Sequence, residues 1–161
     1  MVAVLSLDGW GDIAQFVIAI SAVVALFGAA AQLRQSRTSA RRSRVYEYAD
    51  RFNTRVMLRR ATDYRAYWDE HDFADFRALS DREQLDRLLL PNLIEEIAYL
   101  YNRKLLDRRV AVDLLRVYVE RMWEASRPLI DDVRKQEESP VFYSEWERMY
   151  EDIRVRMERR K

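Results

Sequence analysis

The chain has 161 residues, 34% of them charged and 49% apolar, with a net charge of +1; this suits one folded domain with an appendage and excludes a disordered chain. Three Gly and three Pro are too few for the turns of an all-β sandwich, so helix is the default. Cysteine is absent and His71 is the single histidine, which excludes disulfides, thiolate metal sites and any two-histidine site within one chain.

The first 33 residues carry only Asp8 and Asp12 as charges, and residues 13–33 (IAQFVIAISAVVALFGAAAQL) carry none. As a helix that run is about 31 Å long, close to the thickness of a hydrocarbon core, and it predicts a transmembrane helix. Arg34, Arg37, Arg41, Arg42 and Arg44 follow without an intervening acid. The bias of positive charge toward the cytoplasmic side then places residues 1–12 outside, residues 34–44 against the inner face of a plasma membrane, and residues 45–161 in the cytoplasm. Ala29–Ala31 imitates a signal-peptide cleavage site, but the residues before the run lack the basic start that such a peptide needs. Trp10 is expected at the outer interface and the five arginines at the inner one, with Asp12 capping the helix start. Ala14, Ser21, Ala25 and Gly28 recur along one helical stripe, a pattern that lets a second transmembrane helix approach closely.

Beyond the arginines, Val45, Ala49, Phe52, Val56, Ala61, Tyr64 and Trp68 predict one amphipathic helix over 45–68. The stretch 69–79, DEHDFADFRAL, reads as a loop or a short helical turn. Ser80 and Glu83 match a capping box, opening a helix whose apolar stripe is Leu85, Leu88, Leu89, Leu93, Ile97, Leu100 and Tyr101. Pro91 predicts a kink near Leu90. The pattern breaks over 102–107, and Asp107 is the expected cap of a helix burying Val110, Leu114, Val117, Tyr118 and Met122. Pro128 kinks or ends it, with Ile130 and Val133 extending it. Ser139–Pro140 reads as a restart, with Phe142, Trp146, Met149, Ile153 and Met157 as the last stripe. The expected fold is all-α: one N-terminal transmembrane helix followed by a four- to five-helix cytoplasmic bundle.

Asp69, Glu70, His71 and Asp72 are residue types that bind metals, but adjacent positions on a helix diverge and no second His or Cys completes a site, so they read as a solvated loop. Glu95 and Glu96 interrupt the apolar stripe without an acid–base partner and read as a surface pair. Tyr46, Tyr48 and Phe52 interleave with arginines, yet the chain beyond residue 44 is slightly acidic, which argues against a phosphate-binding surface. No phosphate-binding loop, HExxH, GxSxG or EF-hand pattern occurs. No catalytic residue, cofactor or metal is assigned.

The stretches QLRQSRTSARRSRVYEYADRF, LIEEIAYLYNRKLLD, MWEASRPLIDDVRK and YSEWERM resemble an uncharacterised bacterial family of small single-pass membrane proteins with a C-terminal helical domain of unknown function. The resemblance covers most of the chain and implies the architecture but no activity; the chain departs from the pattern at Asn102–Lys104, where a glycine-containing turn is expected. The expected function is a non-enzymatic, membrane-anchored interaction protein. Its partners would be the lipid bilayer and either its own copies or the other subunits of a membrane complex, with no nucleic acid. Two alternatives stand beside it. One is a stress or phage-defence effector forming a homo-oligomeric pore lined by Gln15 and Ser21; the other is a small lipid-handling protein built around an internal pocket.

Overall fold

The computed structural model describes the backbone of residues 7–136 and 139–159 and, within these, side chains from residue 20 onward. Among the described residues there are six helices and no strand: α1 Leu7–Phe52, α2 Arg55–Glu70, α3 Phe73–Ala78, α4 Asp81–Asn102, α5 Arg108–Gln136 and α6 Ser144–Glu158. The chain divides into two compact units, Met1–Ala40 and Arg41–Lys161. In the first unit the described residues form α1 alone.

The expected transmembrane helix over 13–33 is corrected: among the described residues, no helix is long and apolar enough to cross a membrane. The side chains of residues 13–19 lie outside the described residues. Trp10 and Ala14 sit on the backbone of α1, and their side chains also lie outside the described residues.

In the second unit, Val45, Ala49 and Phe52 on the end of α1 enter the main core, as their spacing predicts. The single helix expected over 45–68 is instead broken at Asn53–Thr54. Thr54 takes an extended backbone and its hydroxyl accepts the Met57 N–H at 3.3 Å, while the Asn53 side-chain oxygen accepts the Tyr118 hydroxyl at 2.8 Å. Two polar residues with local and cross-helix partners thus end one helix and start another, and Val56 is left exposed. The 69–79 stretch contains the short α3, opened by a reciprocal pair in which Asp72 and Asp75 each accept the other's backbone N–H (3.0 and 3.1 Å). Phe73 and Phe76 of α3 join Tyr67, Leu129 and Val133 in a smaller second core.

Pro91 in α4 and Pro128 in α5 lie inside continuous helices, so neither ends its helix. The buried faces match the expected stripes at Ile97, Tyr101, Met122, Ile130 and Val133 and depart from them elsewhere. α4 buries Leu90, Ile94, Ile97, Ala98 and Tyr101, leaving Leu85 and Leu89 exposed; α5 buries Ala111, Val112, Leu115, Val119, Met122 and Trp123, leaving Leu114 and Val117 exposed. Both helices carry apolar residues on more than one face, and the neighbouring helices decide which face is covered. The α6 stripe is as expected, with Trp146, Met149 and Ile153 fully buried. Its start is not: Ser139 and Pro140 belong to a turn closed by Phe142 N–H to Ser139 O at 3.1 Å, and α6 opens at Ser144.

Where the sequence pattern calls for glycine after α4, Lys104 adopts the left-handed conformation, φ 59°. Its N–H donates to Tyr101 O at 3.0 Å and the Leu105 N–H to Leu100 O at 2.9 Å, the paired bonds of a Schellman ending. A side chain at such a position is strained, so Lys104→Gly is expected to stabilise the fold by about 0.5–1 kcal/mol in urea unfolding. An unchanged or lower midpoint would show that the Lys104 side chain offsets its own strain.

Candidate interaction surface

Every residue from 20 to 44 on α1 is exposed. Six of them are large and apolar: Ile20, Val23, Val24, Leu26, Phe27 and Leu33, between 49% and 71% exposed. At about 100° per residue their positions fall within one half of the helix circumference. Ser21, Ala25 and Gly28 fall on the opposite side, and nothing lies within 4 Å of where a Cβ on Gly28 would sit. Exposed apolar side chains at this density go beyond the scattered ones of an ordinary protein surface.

The arginines that follow divide into two kinds. Arg34 and Arg37 in the first unit, and Arg41 and Arg44 in the second, have no ion pair or side-chain hydrogen bond among the described residues. Arg42, in the second unit, donates from Nε to Asp107 Oδ2 at 2.9 Å. The other Asp107 oxygen accepts the backbone N–H groups of Arg109 and Val110 at 3.1 and 3.3 Å, so Asp107 caps α5 as its position predicts. The Arg42 hydrogen bond holds the Asp107 carboxyl below the usual carboxylate range, and the same contact raises the Arg42 guanidinium.

The α4–α6 seam collects most of the polar contacts that the sequence conceals. Glu95 of α4 accepts the backbone N–H groups of Glu145 and Trp146 at 3.2 and 2.7 Å, serving as the cap that α6 lacks locally. Burial raises the Glu95 carboxyl, and the two N–H bonds offset only part of that rise. Asn102 donates to Glu145 O and Oε2 at 2.9 and 2.7 Å, and Tyr143 donates to Asn92 Oδ1 at 2.7 Å. Arg134 of α5 donates to Phe142 O at 2.8 and 3.0 Å and to Glu147 Oε2 at 2.9 Å. Asp152 accepts from the Tyr101 hydroxyl and from Arg156 Nε. Glu96, the neighbour of Glu95, accepts the Tyr48 hydroxyl at 2.6 Å, and burial with that contact pushes the phenol up to about 12. His71 stacks on Tyr67 at 4.3 Å between ring centroids, with Nδ1 3.0 Å from Tyr67 O.

Asp152 shows two opposed effects: burial raises its carboxyl, but the Arg156 and Tyr101 hydrogen bonds outweigh that and the net shift is downward. Asp107 and Asp152 therefore both ionise in the fold below their unfolded value of about 3.9. The stability they contribute is present above that value and lost as pH falls through the folded values. Thermal melts are expected to drop between pH 4 and pH 2, and Asp152→Asn to begin lower at pH 7 but fall less over that interval. A variant falling as steeply as wild type would remove Asp152 from the account.

These arrangements are structural in chemistry: carboxylates cap helix starts or pair with arginines. The Glu95 cap was invisible to sequence reasoning, because donors and acceptor lie 50 and 51 residues apart; only the lack of a capping side chain at the true α6 start hints at it.

Compared with known protein families, residues 15–153 match the model described as a domain of unknown function (DUF4760), and the chain belongs to that family. Neither a curated protein nor a solved structure matches the chain. The matched range takes in the apolar stretch of α1 as well as α2 to α5 and most of α6.

Proposed function

We propose that this protein is a non-enzymatic interaction module that self-assembles through α1. The observation that carries the reading is the run of apolar residues from Ile20 to Leu33, every one of which is exposed among the described residues. Burying a side chain of this size contributes about 1.5–3 kcal/mol, so even partial cover of six per copy favours association. The engagement of Glu95, Glu96, Asp107 and Asp152 in caps and pairs supports a binding role rather than a catalytic one. Native mass spectrometry of the full chain is expected to show oligomers, and Val24→Glu with Phe27→Glu to shift them to monomers while leaving the thermal melt of the second unit intact. A wild-type chain that stays monomeric at tens of micromolar would contradict the reading.

A further inference from the structure

We infer that α1 pairs with α1 of a second copy in antiparallel orientation, centred near Val23. The inference rests on the self-assembly reading and adds orientation and register to it. Its basis is the order of charge along one helix. Asp8 and Asp12 are the only charges before Arg34, the large apolar residues lie between, and Arg34 and Arg37 follow with no acidic neighbour until Glu47. At about 100° per residue, positions 8, 12, 23, 26, 34 and 37 of the α1 backbone fall within one arc of about 80°. That arc therefore reads acidic, apolar, basic from one end to the other.

A face of this kind is self-complementary only when reversed. Parallel in-register pairing sets Arg34 against Arg34 and Asp12 against Asp12, and like charges across a helix seam are destabilising. Antiparallel pairing in which residue i lies beside residue 46 − i sets position 12 beside 34, position 8 within a turn of 37, Ile20 beside Leu26, and Val23 beside its own copy. The apolar stretches of the two copies then lie alongside each other, and the backbone positions of the two acids fall beside those of the two arginines. The two Arg residues also remain free to take up this contact, since neither has an ion pair or side-chain hydrogen bond among the described residues. Charge pattern is how helix pairs commonly select orientation against the alternative.

The test uses the full chain, whose lack of cysteine makes single-cysteine reporters clean. Val23→Cys is expected to form a disulfide-linked dimer under mild oxidation. Ala30→Cys is expected not to, because the two copies of that position would lie about 21 Å apart along the seam, far beyond the 4.4–6.8 Å between Cα atoms that a disulfide spans. Arg34→Gln with Arg37→Gln is expected to weaken the dissociation constant about tenfold in an antiparallel pair, but to tighten it in a parallel one. Circular dichroism melts of each variant separate a lost contact from a lost fold. Cross-linking at both positions, with tighter association of the arginine variant, overturns the antiparallel pairing and leaves self-assembly standing. A monomer at all concentrations overturns both. A monomer that sediments with anionic but not zwitterionic vesicles also overturns both, and shows that lipid rather than a second copy covers the face.

Discussion

Replacing Trp146 by alanine is expected to cost about 3–5 kcal/mol, enough to leave a domain of ordinary stability largely unfolded at 37 °C. Trp146 is fully buried in the main core and is among its largest side chains. Its ring meets Trp123 edge-on at 5.5 Å and Tyr143 at 5.8 Å, and its indole N–H donates to Val119 O at 3.2 Å. Truncation therefore opens a cavity where α4, α5 and α6 meet and leaves a buried carbonyl without that donor. Urea unfolding measures the effect, and a loss below about 1 kcal/mol would mean that α6 is only loosely attached. Trp146→Phe, which fills much of the volume but lacks the N–H, is expected to fall between the two.

Glu95→Ala is expected to cost about 2–4 kcal/mol, a large effect for a half-buried polar residue on a helix. The loss has two parts. Two backbone N–H groups at the α6 start lose a charged acceptor, and the tie that orients α6 on α4 disappears. The pH dependence runs opposite to that of Asp107 and Asp152. With the folded value raised by burial, the Glu95 contribution is greatest below the unfolded value of about 4.3 and declines as pH rises through the folded value. Glu95→Gln, which keeps one acceptor oxygen and removes the buried charge, is expected to lose less than half as much at pH 7. A Gln variant as damaged as the Ala variant would show that the charge, rather than the acceptor, holds the α6 start.

Local signals were the legible ones. Ser80 with Glu83 and Asp107 with the two N–H groups that follow are close in sequence, so the residues that start α4 and α5 could be read directly; in the structure the Glu83 carboxylate accepts from both the Ser80 N–H and its hydroxyl. The helical class followed from composition, and the α6 stripe from its 3.6-residue period. What failed was whatever depended on distant residues. Leu85, Leu89, Leu114 and Val117 are as apolar as the residues actually buried, and nothing in the chain's local pattern says which face of α4 or α5 meets a neighbour. The α6 cap escaped because Glu95 and its donors are far apart in the chain. The apolar run at the start predicts a membrane span, but among the described residues no helix is long and apolar enough to cross a membrane, and the residues from Ile20 to Leu33 are exposed.

That uncovered surface is where function is proposed to reside, and sedimentation velocity over a dilution series of the full chain tests it most directly. The sedimentation coefficient is expected to rise with concentration toward a species of at least twice the monomer mass, and to collapse to the monomer value for Val24→Glu with Phe27→Glu. A single monomeric boundary at every concentration, indistinguishable from that variant, would contradict it.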